Sequence, residues 1–372
     1  GLLFSVATIS SAGMITPNPT APSIAGTAHI LQDYDSGHIL MSENADERLP
    51  PASITKLMTS YVVSQEIHDG NIKLDDEVLI SEKAWRMIGS RSFIEVNTKV
   101  TVEALLRGMI VQSGNDAAVA LAEHVAGSEE VFAQMMNQYA QKLGMVNTNY
   151  QNATGLPGAE HYTTAHDIAI LSAALIRDFP EHYQWYAEKE YTYNGITQHN
   201  RNKLLWRDNT VDGLKTGHTE EAGYCLSASA KRDGMRLIAV VLGTASENAR
   251  AQEIQKMFNF GFRFFETHQL YAADEAITQT KVWKGQTDQL NLGLAQPLSI
   301  TVPRGRYKDL QASTNIQQPV VAPVAKGSEL GEVEIRLGDE VVATRMLVAV
   351  DEVEKGSWWR RILDSLLMLI WG

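Results

Sequence analysis

Cysteine is nearly absent from this sequence. Its single copy, Cys225, excludes an internal disulfide. It sits in the alternating apolar run Tyr224-Cys225-Leu226, which makes it a small buried filler rather than a nucleophile. No Cys/His cluster has the spacing of metal ligands, so neither a metal nor another cofactor is expected. Positive charge is in deficit: 32 Lys and Arg stand against 44 Asp and Glu, a net charge of −12. That balance argues against a nucleic-acid partner, which needs a basic face. No internal repeat is evident. What remains is an ordinary globular composition, 44% hydrophobic and 20% charged, in 372 residues, enough for two domains and a sizeable core.

Both ends of the chain stand apart from that balance. Leu2 to Ile9 is apolar and uncharged, and the small residues Ser10-Ser11-Ala12 follow where a signal peptidase would cut. Residues 1–12 therefore read as the remnant of a signal peptide, the alternative being a short buried strand or helix. Residues 13–26, rich in Pro, Thr and Ser, read as a flexible lead-in. At the other end, residues 353–372 carry an amphipathic helix. Ser357, Arg360, Arg361, Asp364 and Ser365 recur at helical spacing as one polar stripe, and the rest is Trp, Leu, Ile and Met. The helix would be about 21 Å long at 1.5 Å per residue, too short for a hydrocarbon core of about 30 Å. Residues 356–372 are expected to lie in a membrane surface, the alternative being a helix docked on the protein's own second domain.

Between the ends the periodicity changes once. Ala28 to Tyr34 and Ile39 to Met41 flank Asp35-Ser36-Gly37, a β-hairpin signal. Pro50-Pro51 ends an extended approach, and Ile54, Leu57, Met58, Tyr61 and Val62 then recur at helical spacing up to Gly70. Val102 to Val111 reads as a helix that breaks at Ser113-Gly114-Asn115 and resumes over Asp116 to Val125. Ser128 caps a third helix, and Thr164-x-x-Asp167 a fourth; Asn152 to His161 is a glycine-rich loop. Gly223 to Ala230 and Met235 to Leu242, joined through Asp233-Gly234, read as antiparallel strands, with Lys215-Thr216-Gly217 on the strand beside them. Glu247 to Phe265 is an amphipathic helix able to pack on that sheet. From Thr267 short alternating runs replace helical periodicity: Ile277 to Trp283, Leu290 to Leu294, Leu298 to Val302, Val333 to Leu337 and Val341 to Val348. The expected architecture is an α+β domain over 27–266, an antiparallel sheet flanked by helices, followed by an all-β domain over 267–352.

Three short stretches carry chemistry. Ser53 falls on the first turn of a helix with Lys56 one turn on, so both side chains share a face. A serine hydroxyl attacks only if a neighbour takes its proton, and a lysine amine can do so once burial or a second cation has made it neutral. The plainer reading of Ser53 is a helix cap, and of Lys56 a solvated surface cation. Ser113 and Asn115 occupy a turn between two apolar helices, either as reactive groups that the helices hold still or merely as caps of the second helix. Gly217, beside Lys215 and Thr216, lets a substrate backbone approach a strand closely.

Taken in order, Ser53-x-x-Lys56, Ser113-x-Asn115 and Lys215-Thr216-Gly217 resemble the penicillin-binding proteins and serine β-lactamases. The chain is most similar to the low-molecular-weight D-alanyl-D-alanine carboxypeptidases among them. That resemblance extends to Asn44-Ala45-Asp46, Asn200-Arg201-Asn202, Asp212 to Thr219, Gly261 to Glu266, the β domain and the tail. It implies that Ser53 attacks the carbonyl between two terminal D-alanines of a peptidoglycan stem peptide. Lys56 would be the base, Ser113 the proton relay to the leaving amine, and Asn115 the holder of the substrate backbone. Lys215 would keep Lys56 neutral by its charge, and Thr216 with Arg250 would bind the substrate carboxylate, Arg250 being matched by position only. The backbone N–H groups of Ser53 and His218 would form the oxyanion hole. β-Lactam antibiotics would acylate Ser53, and the enzyme would work on the periplasmic face of the inner membrane.

Two alternatives are a β-lactamase and a non-catalytic wall-binding or penicillin-sensing protein. The middle motif reads Ser-Gly-Asn rather than Ser-Asp-Asn, and no Glu-x-x-Leu-Asn stretch supplies a water-activating glutamate; both disfavour the first. The presence of Lys56, which a pure binder does not need, disfavours the second.

Overall fold

The computed structural model describes residues 20–371. The signal-peptide remnant at 1–12 lies outside them. So do residues 13–19 of the lead-in. Its remaining residues are not loose: Ile24 is buried among the side chains of the last catalytic-domain helix, and the Ala25 N–H donates to Glu253 Oε2 at 3.1 Å.

The first domain is built on a five-stranded antiparallel sheet, ordered Ile39–Glu43, Ala28–Asp33, Met235–Thr244, Gly223–Arg232, Val211–Thr219. Alternation along each strand sends side chains to two different cores. From Met235–Thr244, Ile238, Val240 and Leu242 join the helices of residues 56–178, while Leu237, Ala239 and Val241 meet the helix Glu247–Phe264. The two-residue turn between the last strands needs left-handed backbone at both positions, which Asp233 (φ +47°) and Gly234 (φ +88°) adopt. Short polar residues start the helices, Ser128 and Thr164 as expected and Ser246 besides. Ser128 accepts from Val131 N, Thr164 from Asp167 N and Ser246 from Ala249 N. Phe258, fully buried under the sheet, shows what this packing is worth: cutting it to Ala would cost about 3–5 kcal/mol.

The element that carries Ser53 differs from the expected first turn of an α-helix. Ala52–Thr55 is a 3₁₀ turn, and the α-helix proper is Lys56–His68. The cause is Ala52, whose φ of +47° is left-handed, so the α-helix cannot be entered through it.

The chain enters the β domain at Phe265, where the strand Phe265–Tyr271 pairs with Leu298–Pro303. A six-stranded sheet follows in the order Leu310–Ile316, Glu329–Leu337, Glu340–Ala349, Gln289–Gly293, Thr278–Trp283, Val320–Val321. The two domains touch through side chains: Thr267 Oγ1 donates to Asp33 Oδ2 at 2.7 Å, and Ser36 and Thr301 hydroxyls meet at 2.6 Å. The last helix, Trp358–Trp371, turns part of its polar stripe inward. Arg360 pairs with Asp288 and donates to the Gln286 carbonyl at 3.1 Å, and the Lys284 N–H donates to Asp364 Oδ2 at 2.5 Å. Its apolar side faces out: Trp359 is 67% and Leu369 84% exposed. Among the described residues no helix is long and apolar enough to cross a membrane.

Candidate active site

Three elements converge on Lys56. The 3₁₀ turn presents Ser53, the break between Val102–Gln112 and Asn115–Ala126 presents Ser113 and Asn115, and the edge strand Val211–Thr219 presents Lys215, Thr216, Gly217 and His218. Lys56 Nζ lies 2.9 Å from Ser53 Oγ, 2.7 Å from Asn115 Oδ1 and 2.7 Å from the Thr154 carbonyl oxygen. A neutral amine has two N–H groups and one lone pair. With the two N–H groups given to Asn115 and Thr154, the lone pair is left for the Ser53 hydroxyl.

The amine is pressed toward that neutral form. Burial, and after it the nearby Arg201 guanidinium, lower the Lys56 pKa from 10.5 to about 7, against an opposing pull from Asp116. Lys215 is pushed well down too, by burial first and then by Lys56, Arg201 and Arg250. Burial acts most on Lys56, Arg201 adds to it, and the repulsion between Lys56 and Lys215 is mutual, so each disfavours the charged form of the other. Lys215 Nζ donates to the Thr216 carbonyl at 3.0 Å, and the buried Arg250 donates through Nη1 to the Gly217 carbonyl at 3.2 Å.

Ser113 sits in left-handed backbone (φ 69°), buried, and its Oγ has no hydrogen-bond partner among the described residues. A buried hydroxyl without a partner is rare in folded proteins and calls for an explanation. Asn115 is fixed from both sides, its Nδ2 donating to the Ile88 carbonyl at 2.6 Å and its backbone N–H to the Ser90 carbonyl at 2.7 Å. The His218 ring stacks on Tyr224 at 3.8 Å and meets the Gly223 carbonyl through Nδ1. Cys225 is buried, and that burial raises its thiol to about 11, out of reach of nucleophilic work.

Two contributors carried no role in the sequence reading. Arg201 stood only as the middle of Asn200-Arg201-Asn202. The Thr154 carbonyl has no side-chain signature at all; its signal is Gly155, left-handed at φ +86°, whose Cβ would fall 1.8 Å from the Ala52 carbonyl. That close approach lets the loop 152–161 lie on the Ser53 turn. The loop is pinned by Thr59 Oγ1 to the Ala153 carbonyl (2.7 Å), and by His161, which meets Thr55 Oγ1 at 2.9 Å and accepts from Gln151 N at 3.0 Å.

Comparison with known proteins settles the family. A family model described as D-alanyl-D-alanine carboxypeptidase matches residues 15–246, and one described as the penicillin-binding protein 5 C-terminal domain matches 265–355. The chain belongs to the D-alanyl-D-alanine carboxypeptidase family. It is 45% identical over 356 residues to D-alanyl-D-alanine carboxypeptidase DacC of Escherichia coli, with 94% of this chain and 89% of that protein covered. It is 41% identical to D-alanyl-D-alanine carboxypeptidase DacA of Haemophilus influenzae, with 95% and 91% covered. Among solved structures, penicillin binding protein 5 from Haemophilus influenzae superposes with a TM-score of 0.88 at 42% identity, covering 91% of this chain and all of that one. The expected fold, α+β followed by all-β and a final helix, is the fold of this family.

Proposed function

We propose that Ser53 is the nucleophile of a D-alanyl-D-alanine carboxypeptidase and that Lys56 is its general base. The observation that carries this is the lysine amine, buried, pressed toward neutrality, 2.9 Å from the hydroxyl and with its N–H groups engaged elsewhere. Lys56 takes the Ser53 proton as Oγ attacks the carbonyl between the two D-alanines. The oxyanion forms where the Ser53 and His218 N–H groups can hold it; one such donor is worth about 3–4 kcal/mol of barrier. The unpaired Ser113 hydroxyl relays that proton, giving its own to the leaving amine as it takes the one held by Lys56, and D-alanine departs. Asn115 holds the substrate backbone. Lys215, Thr216 and Arg250 face the terminal carboxylate, whose negative charge answers a cluster of cations that burial disfavours. Water then cleaves the acyl-enzyme, returning Ser53. A β-lactam enters by the same attack, but its leaving group stays tethered and deacylation is slow. The test is release of D-alanine from a diacetylated tripeptide ending in D-Ala-D-Ala. Loss of penicillin labelling in Ser53→Ala, read by intact mass, assigns the nucleophile, and a persisting mass shift would overturn it.

The same reading places the enzyme on the periplasmic face of the inner membrane, delivered by a signal peptide and held by residues 356–372. The outward Trp, Leu and Ile side chains of the last helix support it, since such a patch suits the boundary between headgroups and acyl chains. Truncation after Lys355 is expected to move an active, penicillin-binding protein into the soluble periplasmic fraction; sedimentation with membranes would place the anchor elsewhere.

A further inference from the structure

The outer face of the helix Glu247–Phe264 carries no Lys/Glu ladder. It presents neutral amides at Asn248, Gln252, Gln255 and Asn259, spaced four, three and four residues apart, and so on one stripe. The opposite face buries Ile254, Met257 and Phe258. Three of these amides, Gln252, Gln255 and Asn259, line a surface cavity of about 580 Å³. Across from it stands Trp206, 48% exposed, with Arg207 and Asn209 beside it.

The backbone that carries this tryptophan is fixed. Its short helix, Leu204–Arg207, is anchored by the buried Leu204 and Leu205 and by Asn202, whose Oδ1 accepts from Leu204 N at 3.1 Å while Nδ2 donates to the Gly213 carbonyl at 3.0 Å. The amides are oriented too. Gln255 Nε2 donates to Asp208 Oδ2 at 3.1 Å and to Asn259 Oδ1 at 3.2 Å, and Arg207 Nη2 donates to Asn248 Oδ1 at 3.1 Å. Gln252 is exposed.

We propose that this cavity binds a neutral oligosaccharide bearing hydroxyl and acetamido groups. Amides both donate and accept, which matches hydroxyls and acetamides without charge. An exposed indole offers a flat apolar face, with an N–H at its rim, to the C–H face of a sugar ring. The lining also holds two cations, Lys189 and Arg207, whose N–H groups donate to hydroxyl and acetamido oxygens as the amides do, while its carboxylate, Asp208, is already paired to Arg232 at 2.5 Å. Along the chain the elements of the cavity adjoin those of the site: Arg201 lies five residues before Trp206, and Arg250 stands on the first turn of the amide-bearing helix. The inference rests on the carboxypeptidase reading, in which the stem peptide hangs from a glycan. The cavity would hold a stretch of that polymer beside the site.

The experiment uses the full chain and two peptide-free probes, so that the catalytic cleft contributes nothing. Chitohexaose is titrated by calorimetry, and glycan strands stripped of stem peptides by an amidase are tested by co-sedimentation. Saturable binding is expected, weakened about tenfold in Trp206→Ala and less in Gln252→Ala, with unchanged melting temperatures. Absence of binding to both probes, or equal binding by the variants and the parent, would overturn the proposal. D-Alanine release from the soluble tripeptide, measured on the same preparation, keeps the two readings apart. Release without glycan binding refutes the cavity alone, and glycan binding without release refutes the carboxypeptidase reading.

Discussion

Acylation should carry the ionisation of Lys56 in its pH dependence. The fall from 10.5 to about 7 corresponds to about 5 kcal/mol of preference for the neutral amine. At pH 7.5 an ordinary lysine would be neutral in about one molecule in a thousand, whereas Lys56 would be neutral in about three of four. Without that shift, available base would fall several hundredfold, close to the whole effect of a general base. The assay is the second-order rate of labelling by a fluorescent penicillin between pH 5 and 9.5. The rate should rise about tenfold per pH unit below the Lys56 midpoint near 7 and level off above it. Arg201→Ala removes a cation that favours the neutral amine, so the rising limb should move to higher pH. Lys56→Arg keeps the charge but cannot lose a proton near neutrality, so labelling should collapse. Lys215→Arg should be milder, because a fixed charge serves its proposed role. A rate flat from pH 5 to 9.5, or near-normal labelling of Lys56→Arg, would refute the argument.

Further expectations follow from the same site. Gly155→Ala adds a Cβ 1.8 Å from the Ala52 carbonyl in left-handed backbone; it should cost about 3 kcal/mol or more in urea unfolding and slow acylation, because the Thr154 carbonyl moves off Lys56. Lys56→Met should inactivate the enzyme yet raise its melting temperature at pH 7 by a few degrees in calorimetry, since the folded state no longer buries an amine that would rather be charged. His161 is lowered by burial to about 4, so its contribution is complete above pH 6.5 and drains away as pH falls toward 4, by up to about 3 kcal/mol; acid-unfolding curves of His161→Gln should lack that slope. Arg360→Ala with Asp364→Ala should leave binding to anionic vesicles in place but free the helix from the 284–288 loop, seen as faster amide exchange at Lys284.

The parts of this molecule that were legible in sequence are those in which side-chain type and spacing carry the information. Ile238, Val240 and Leu242 alternate with Leu237, Ala239 and Val241, and that alternation specifies a strand with a core on both faces. Ser53, Lys56, Ser113, Asn115 and Lys215 lie in three short patterns, each at a break or edge of a regular element. What escaped was written in backbone or in surface polarity. The strand Leu310–Ile316, an exposed sheet edge reading Leu-Gln-Ala-Ser-Thr-Asn-Ile, has no apolar alternation to betray it. The 3₁₀ turn under Ser53 depends on a left-handed alanine, a conformation that alanine seldom adopts and that no pattern announces. The Thr154 carbonyl is common to every residue type, so only the glycine after it could have marked it. The final helix shows the same limit from another side. Its polar stripe was visible, but which partner the stripe meets is a tertiary fact. Arg360 and Asp364 turn to the 284–288 loop rather than to water, and it is this inward pairing that leaves the tryptophan-bearing face exposed.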